Sequence, residues 1–368
     1  MNRFNIISIN RFRFFYSFQS LLFVIFLLGL FVPHQLSAKS LKNVVDEGYC
    51  KIPKDFIKKP PILDNESITI NISLFVIDIM DIRDISQTYE ADVLFHYSWR
   101  DHRLSKDSIG RSLEHCELKL NEVWHPEIVE VNIKNVSKFF DEIAVVVDEN
   151  GNLNYRQRYV GEFITNLEYK DFPFDRQILK FTLAATGIDA DNINFDIDKE
   201  NITIRSNISI EGWAVSILKP LVSMEFIKTQ NRYVPILDFR LLADRDENYY
   251  IWKVIVPLCL IVLMAWAVFW INPEAIGPQI GLSTATIFTL IAYRFSLGLN
   301  LPKVSYFTRI DKFVFFTTIL VFIALGIAVL TSRIASEGNL HRALKIEKIS
   351  RIVYLLVLVA IIFFTLWL

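Results

Sequence analysis

The sequence has little charge for its length and few cysteines, and both shortages narrow the class of protein. Of its 368 residues, 21% are charged, 52% are hydrophobic and three are cysteine. An average globular domain carries about 25% charged and about 45–50% apolar residues. Twelve glycines and twelve prolines exclude collagen, and the apolar excess excludes a disordered chain. The net charge of −1 gives no electrostatic reason to expect nucleic acid as a partner.

The sequence also lacks the residue patterns of catalysis and of metal binding. The six histidines are scattered, and no group of His, Cys or carboxylate residues has the spacing of metal ligands. No glycine-rich loop suits a phosphate, and no nucleophile elbow is present. Cys259 lies in an apolar segment, whereas Cys50 and Cys116 are compatible with a disulfide and equally with two free thiols. The sequence therefore predicts a protein that is not an enzyme and has no cofactor or metal site.

The hydrophobic residues are concentrated at the start of the chain and in its last third. Residues 1–38 combine basic positions, an apolar run and a small-residue end, which predicts a cleaved secretory signal; an uncleaved membrane anchor is the alternative. Four later segments are each long enough to cross a bilayer core of about 30 Å. The predicted membrane spans are 251–270, 278–299, 307–330 and 346–368.

The connection between the third and fourth spans sets the predicted orientation. It is rich in Lys and Arg, which marks the cytoplasmic side of a membrane. Together with the export signal, this charge places the large N-terminal domain and the C-terminus on the opposite side.

Residues 39–247 are predicted to form an all-β domain, and residues 248–368 the membrane domain. Apolar and polar residues alternate with period two in segments such as 68–74 and 201–205. Several such segments at short spacing, separated by turn residues, indicate an immunoglobulin-like β-sandwich.

One short segment of the β domain carries a resemblance to a known family. Residues 171–175, DFPFD, resemble the signature loop of the pentameric ligand-gated ion channels, the Cys-loop receptor superfamily. Thr165 and Leu179 occupy the positions of the two cysteines that flank this loop in animal receptors, as in prokaryotic members without the disulfide. Further similar motifs lie at 99–104, 124–132, 212–213, 269–272, 281–282 and 301–306.

This resemblance implies a pentameric fold and a function. It predicts a homopentameric ligand-gated ion channel in a bacterial inner membrane, with the N-terminal domain and the C-terminus in the periplasm. A small-molecule agonist would bind between β-sandwich domains and open a central pore for permeant ions, lined by the second span. The partners are then four identical subunits and the lipid bilayer. The alternative is a membrane-anchored periplasmic sensor that binds a ligand and does not conduct ions.

The resemblance also implies a register for the second span. It places one set of residues toward the pore axis: Gly281, Ala285, Phe288, Ala292, Phe295 and Leu299. Rings of Phe288 would form the principal gate and rings of Phe295 an upper constriction, because an ion sheds its hydration at high cost in an apolar ring. A rotation by one position would bring Thr284 or Thr289 inward instead.

The hydroxyl side chains of this span support a pore on their own chemistry. Ser283, Thr284, Thr286 and Thr289 suit a helix beside water, although they can also bond to their own backbone or join helices. With the family resemblance, pore lining is the preferred interpretation. At the predicted mouth the chain has Glu274 and Gln279, and this pair leaves cation and anion selectivity equally open.

By resemblance, a second group of residues couples the two domains. Asp84, Asp175 and Arg245 are predicted to form a charged cluster at the domain junction, with three ordinary surface charges as the alternative. The turn at Phe172 and Pro173 is predicted to pass its motion to the loop that Pro302 stiffens.

The predicted ligand site lies beneath a flap at about 226–235. Phe226 and Tyr233 belong to the flap, and a neighbouring subunit would add Tyr97, Tyr155 and Tyr159, which are alternatively core residues. Aromatic side chains at such a site hold amines by cation–π attraction. The identity of the agonist stays open.

Overall fold

The structure is a computed structural model. It describes residues 50–367 except 55, 57–58, 62–66, 115, 117, 142–144, 188–189, 198–200, 229–230, 299–300 and 302–303. The predicted signal segment 1–38 and the predicted site residues Leu299 and Pro302 lie outside the described residues. Residues Ile52–Leu368 form one compact unit, to which every element named here belongs.

The first part of this unit consists of strands in two sheets. The larger sheet has the order β4-β6-β2-β1-β8, with β5 paired to β6 and β9 to β1; the smaller has the order β10-β11-β7-β3. Neighbouring strands are antiparallel, except that β8 and β9 run parallel to β1. The strands are β1 (Ile68–Arg83), β2 (Thr88–Arg100), β3 (Ile128–Glu130), β4 (Ile133–Asp141), β5 (Val146–Val147), β6 (Asn152–Ile164), β7 (Arg176–Ala185), β8 (Ile193–Ile197), β9 (Thr203–Ile204), β10 (Trp213–Ile227) and β11 (Arg232–Arg245).

The hydrophobic pattern of the strands decides which face is buried. In β1 every second residue from Ile68 to Val76 is buried, and most residues between them are exposed. Successive side chains of a strand point to opposite faces of the sheet, so this alternation directs one face to the interior. The period-two segments of the sequence thus become strands with one buried face.

Aromatic rings fill the space between the two sheets. Phe181 of the smaller sheet packs edge-on against Phe163, with ring centroids 4.8 Å apart, and against Tyr89 at 5.5 Å. Phe95 and Phe239 make a tilted contact across the sheets, with ring centroids 6.1 Å apart. Each such pair adds about 0.5–1.5 kcal/mol beyond the burial of its area. These contacts confirm the predicted β-sandwich.

Four helices follow the sandwich, and each is long and apolar enough to cross a membrane. They are α1 (Asn248–Trp270), α2 (Ile276–Gly298), α3 (Arg309–Ser336) and α4 (Leu340–Leu366). Since α1 begins directly after the last strand, α2 begins at the end of the bundle that is distant from the sandwich. The predicted four-helix membrane domain is confirmed.

The ends of these helices differ from the predicted spans for a physical reason. Hydropathy detects the lipid-facing stretch, whereas a helix ends where its backbone is capped. The fourth helix begins at Leu340, six residues before the predicted span, because its basic first turns are helical although they are polar. At the start of α3, the Thr308 hydroxyl accepts from the Asp311 backbone N–H while the Asp311 carboxylate accepts from the Thr308 N–H, a capping box.

Of the two described cysteines in this unit, one is free and one is not. Cys259 of α1 is a free thiol. Cys116 is disulfide-bonded, so the open choice between a bridge and a free thiol is decided at this position.

Candidate functional site

The second membrane helix leaves one long face uncovered within the subunit. The five described residues that were predicted to face a pore are all exposed on it: Gly281, Ala285, Phe288, Ala292 and Phe295. Their spacing of three and four positions follows one side of a helix. Phe288 is 67% exposed and Phe295 is 76% exposed. In a membrane domain, such a face contacts lipid, water or another subunit.

The four hydroxyl side chains of α2 that were predicted to line the pore divide into two pairs. Ser283 and Thr286 are buried, and they donate to the carbonyls of Gln279 and Leu282 at 2.9 and 2.8 Å. Their interpretation as pore-lining groups is wrong, because they satisfy themselves on their own helix. Thr284 and Thr289 are exposed and flank the apolar face.

The two residues predicted at the pore mouth lie in different environments. Glu274 is exposed in the turn before α2, where its backbone N–H donates to Asn272 Oδ1 at 3.1 Å. Gln279 is fully buried among the helices, so its prediction as a mouth residue is wrong. The physical reason is the helical period: Gln279 precedes Gly281 by two positions, which places it on nearly the opposite side of the helix.

Three strand ends bring the predicted junction charges together. Asp84 follows β1, Asp175 precedes β7, and Arg245 ends β11 beside the start of β7. Arg245 Nε donates to Asp175 Oδ1 at 2.8 Å, and Arg245 Nη2 donates to Asp84 Oδ1 at 2.9 Å. The side chains of Asp175 and Arg245 are 1% and 6% exposed. The three charges therefore form one cluster, in which Asp175 and Arg245 are buried and Asp84 is partly exposed, rather than a set of separate surface charges.

Aromatic rings and hydrogen bonds surround the guanidinium of Arg245. The guanidinium lies 4.1 Å from the ring centroid of Trp213 and 4.8 Å from that of Phe172. Burial by itself would lower the pKa of Arg245, but hydrogen bonds and attraction from Asp84 and Asp175 raise it above its usual value. The guanidinium consequently stays charged throughout the physiological range.

The turn next to this cluster contacts the loop and helix that follow α2. Phe172 and Pro173 are buried and joined by a cis peptide bond. The Ile310 N–H donates to the Phe172 carbonyl at 3.3 Å, and the Tyr169 N–H donates to the Tyr306 hydroxyl at 3.0 Å. The sandwich and the membrane helices are thus bonded directly at the position where coupling was predicted.

Tyr169 links this contact to the charged cluster, and the sequence reasoning missed it. Its hydroxyl donates to the Asp84 carbonyl at 2.9 Å. Burial and the neighbouring Asp84 carboxylate raise the pKa of Tyr169, so its phenol remains a donor. Arg309, also missed, donates to Asp171 Oδ1 at 2.8 Å. A search for polar residues next to the 171–175 motif would have found Tyr169, and a search next to the 301–306 motif would have found Arg309.

The two flap aromatics are close to each other and open to solvent. Phe226 and Tyr233 are cross-strand partners at the β10–β11 hairpin, with ring centroids 5.1 Å apart. They are 47% and 58% exposed. Both are available to a ligand on the outer surface of the subunit.

The other three predicted ligand residues face the interior of the sandwich. Tyr97, Tyr155 and Tyr159 are 3%, 4% and 8% exposed, so their prediction as residues that reach a ligand across a subunit boundary is wrong. The reason is the alternation along β2 and β6, whose outward positions carry other residues. Tyr97 and Tyr155 instead line a half-open pocket of about 330 Å³.

Comparison with known proteins gives matches to both parts of the chain. Residues 55–236 match the neurotransmitter-gated ion-channel ligand binding domain, and residues 254–351 match the neurotransmitter-gated ion-channel transmembrane region. The two matches follow each other in the order of the sandwich and the helices and together cover most of the chain.

The individual relatives have low sequence identity to this chain, but they match it over long segments. A proton-gated ion channel of Gloeobacter violaceus is 26% identical over 301 residues, which are 82% of this chain and 83% of the relative. A glutamate-gated chloride channel of Drosophila melanogaster is 27% identical over 66% of this chain and 54% of its own length. A gamma-aminobutyric acid receptor subunit beta-4 of Gallus gallus is 25% identical over 77% and 59%, respectively. The chain thus spans less than two thirds of these animal relatives.

Proposed function

Because this chain belongs to the neurotransmitter-gated ion-channel family and is a ligand-gated ion-channel subunit, we propose that five identical copies surround a pore lined by α2. The family assembles as pentamers, and the identity of the five copies is part of the proposal. The observation that carries it is the uncovered apolar face from Gly281 to Phe295. The alternative of a sensor that does not conduct ions is not favoured, since it gives no role to this face.

The gate of this channel is the ring of Phe288 side chains. Five copies of an exposed phenylalanine at one level form a narrow apolar constriction that excludes water and hydrated ions. Phe295, two turns toward the sandwich, forms the upper constriction. The exposed Glu274 stands at the opposite mouth, while Gln279 has no part in it.

An agonist binds on the outer surface of the sandwich, between neighbouring subunits. Phe226 and Tyr233 supply aromatic contacts from the exposed hairpin, in keeping with their mutual stacking and exposure. The complementary contacts come from residues other than the three buried tyrosines. The agonist stabilises the open state because it binds that state more tightly.

The charged cluster and the turn at Phe172 transmit this preference to the helices. Asp84, Asp175 and Arg245 keep three strand ends together, and the neighbouring turn bonds to the start of α3. A rigid-body twist of the sandwich then moves the α2–α3 connection and widens the Phe288 ring. No covalent chemistry and no cofactor enter this mechanism.

The protein is a membrane protein with four spans and a large extracellular domain, and we assign it to a bacterial inner membrane. The N-terminal domain and the C-terminus lie in the periplasm. This orientation follows from the Lys- and Arg-rich connection between α3 and α4, which favours the cytoplasmic side.

Recording from the purified full-length protein in planar bilayers tests the proposed function. A channel gives discrete unitary currents of constant amplitude, whereas a sensor or an anchored binding protein gives none. Size-exclusion chromatography with light scattering on the same preparation must give five subunits per particle. A silent preparation that is pentameric and thermally stable, under a broad set of applied small molecules, would contradict the proposal.

Cysteine accessibility tests the pore register with a control one position away. In a Cys259→Ser background, Ala285→Cys is expected to react with a water-soluble thiol reagent at least about tenfold faster than Thr286→Cys, because only the first faces the conduit. The measurement is the rate of modification in liposomes. Equal rates at the two positions would show that α2 does not border water on the assigned face.

A further inference from the structure

A cluster of polar side chains inside the helix bundle has no part in the function proposed above. Gln279 of α2, Thr331 and Ser332 of α3, and Glu347 of α4 are between 0% and 3% exposed. They are named here the inner polar cluster. Three of the four membrane helices contribute to it, at the end of the bundle where the pore helix begins.

Gln279 is the centre of this cluster. Its Nε2 donates to Glu347 Oε1 at 2.6 Å, and its Oε1 accepts from the Ser332 hydroxyl at 2.5 Å. Thr331 Oγ1 donates to the same Glu347 oxygen at 3.2 Å. The amide of the pore helix is thus held from two sides, once by α3 and once by α4.

Glu347 is a costly residue at this position. Its second oxygen, Oε2, is buried without a hydrogen-bond partner in the part of the chain that the structure describes. Arg351, one turn further along α4, is engaged elsewhere: its Nε donates to the Phe269 carbonyl at 3.0 Å, and its guanidinium lies 4.2 Å from the ring centroid of Trp270. Among the described residues, the shortest hydrogen bond to the carboxyl group is therefore the one from Gln279, because the Thr331 hydroxyl also lies 3.0 Å from the Ile327 carbonyl of its own helix.

Stability alone does not account for such a group. Apolar residues of similar volume commonly replace buried polar clusters without loss of stability. An ionisable residue within a membrane segment therefore suggests a functional role, which it shares with the residue that it contacts. The partner here is the third residue after the start of α2 at Ile276, next to the predicted inner mouth of the pore.

The pore helix has few other means of holding its orientation. Its apolar segment is 28% buried within the subunit, the same as that of α4, compared with 39% for α1 and α3. Gln279 and Gly281 lie on nearly opposite sides of α2. When Gln279 is held against the other helices of the bundle, Gly281 therefore points away from the bundle. A rotation of this helix end would turn the lining residues away from the axis.

We propose that Glu347 is a positioning residue for conduction: through Gln279, it couples the outermost helix α4 to the inner end of α2 and fixes the rotation of the pore lining there. The inference rests on the proposed pore. It makes the α4 helix a part of the gating machinery, with the inner polar cluster as the contact through which changes at the lipid-facing side reach the pore.

Replacement of Glu347 by leucine tests this role through a pore position. In the Cys259→Ser, Gly281→Cys channel, Glu347→Leu is expected to change the rate of thiol modification at least about tenfold, since it leaves the Gln279 amide N–H without an acceptor. Glu347→Gln keeps an acceptor oxygen and is expected to stay within about twofold of the parent. Gln279→Leu together with Glu347→Leu is expected to change the rate no more than Glu347→Leu alone, because either replacement already breaks the same link between α2 and α4.

Thr365→Val, at the other end of α4, is the matched control. Its buried hydroxyl bonds to the Ile361 carbonyl of the same helix, so the rate at Gly281→Cys should be unchanged. Equal effects of Glu347→Leu and Thr365→Val, or of Glu347→Leu and Glu347→Gln, would overturn the proposal. If Glu347→Leu yields no pentamer, Ser332→Ala is measured in its place. A change of about threefold in the modification rate at Gly281→Cys supports the positioning role of the inner polar cluster, and an unchanged rate contradicts it. A parent Gly281→Cys that never reacts would contradict the pore itself.

Discussion

Phe288→Ala is expected to raise the agonist-free current of the channel at least about tenfold, which corresponds to a barrier lower by about 1.4 kcal/mol. The phenylalanine ring is 67% exposed on the free face of α2, so five copies meet at the pore axis in the proposed pentamer. A methyl group at the same level leaves a wider constriction that water can fill. Hydrated ions then cross the site without losing their shell. The measurement is the leak current in voltage-clamped planar bilayers with equal amounts of protein.

A phenylalanine elsewhere in the bundle controls for general loosening of the membrane domain. Phe364 of α4 is 66% exposed, almost as much as Phe288, but belongs to the outermost helix. Phe364→Ala should leave the leak current at the parent value. Phe295→Ala is expected to act in the same direction as Phe288→Ala with a smaller effect. An unchanged current in Phe288→Ala would exclude this residue as the gate. The uncovered face of α2 would then have no residue assigned to closing the pore.

The fold was accessible from the sequence because its signals are local. The alternation of apolar and polar residues in β1 can be read from consecutive residues, and so can the long apolar segments of the membrane helices. Both patterns arise because part of the surface of the strand or helix is kept away from water. The helix ends were less accessible. Hydropathy placed the fourth span at 346, whereas the helix begins at Leu340, since its first turns are basic and still helical.

The errors in the candidate site have one cause: the side of the helix or strand on which a residue lies was assigned wrongly. Ser283 and Thr286 were assigned to the pore for their polarity, and Gln279 to its mouth for its position before the pore helix, yet all three are buried in the bundle. Composition reports that a helix carries hydroxyls, but only packing shows whether they bond to water or to their own backbone. The tyrosines of β2 and β6 repeat this error in strands, where a shift of one position exchanges the interior for the surface.

The junction cluster was predictable and Glu347 was not, for the same physical reason. Asp175 lies in a motif whose loop position is fixed by its neighbours in the chain, and Arg245 directly precedes a membrane helix. Glu347 sits among exposed basic residues of α4, in a pattern typical of a solvated helix end. Its burial arises from contact with α2 and α3, which lie far away in the sequence.

Arg245→Met is expected to destabilise the sandwich by about 3–5 kcal/mol and to abolish gating. Methionine preserves much of the apolar stem but leaves Asp175, whose side chain is 1% exposed, without its cation. Gln177 still donates to Asp175, and a neutral amide does not compensate the charge. For a domain of this size the loss corresponds to a midpoint of thermal unfolding lower by about 10 °C. The measurements are thermal unfolding of the solubilised pentamer and unitary currents.

The two carboxylates separate the structural part of this effect from the coupling part. Asp84 is 22% exposed and Asp175 is 1% exposed, so Asp175→Asn should lower the unfolding midpoint more than Asp84→Asn. The Asp84 carboxylate also lies 3.3 Å from the Tyr169 hydroxyl, and the Tyr169 backbone N–H donates to the Tyr306 hydroxyl at the membrane side. Asp84→Asn changes the charge at this connection and should therefore alter gating more than stability. Charge reversal at Arg245 combined with charge reversal at Asp84 should recover part of the lost open probability. Strictly additive effects in that cycle would mean that the contact between these two residues carries no coupling, and the transmission route would then have to run through the Phe172 turn alone.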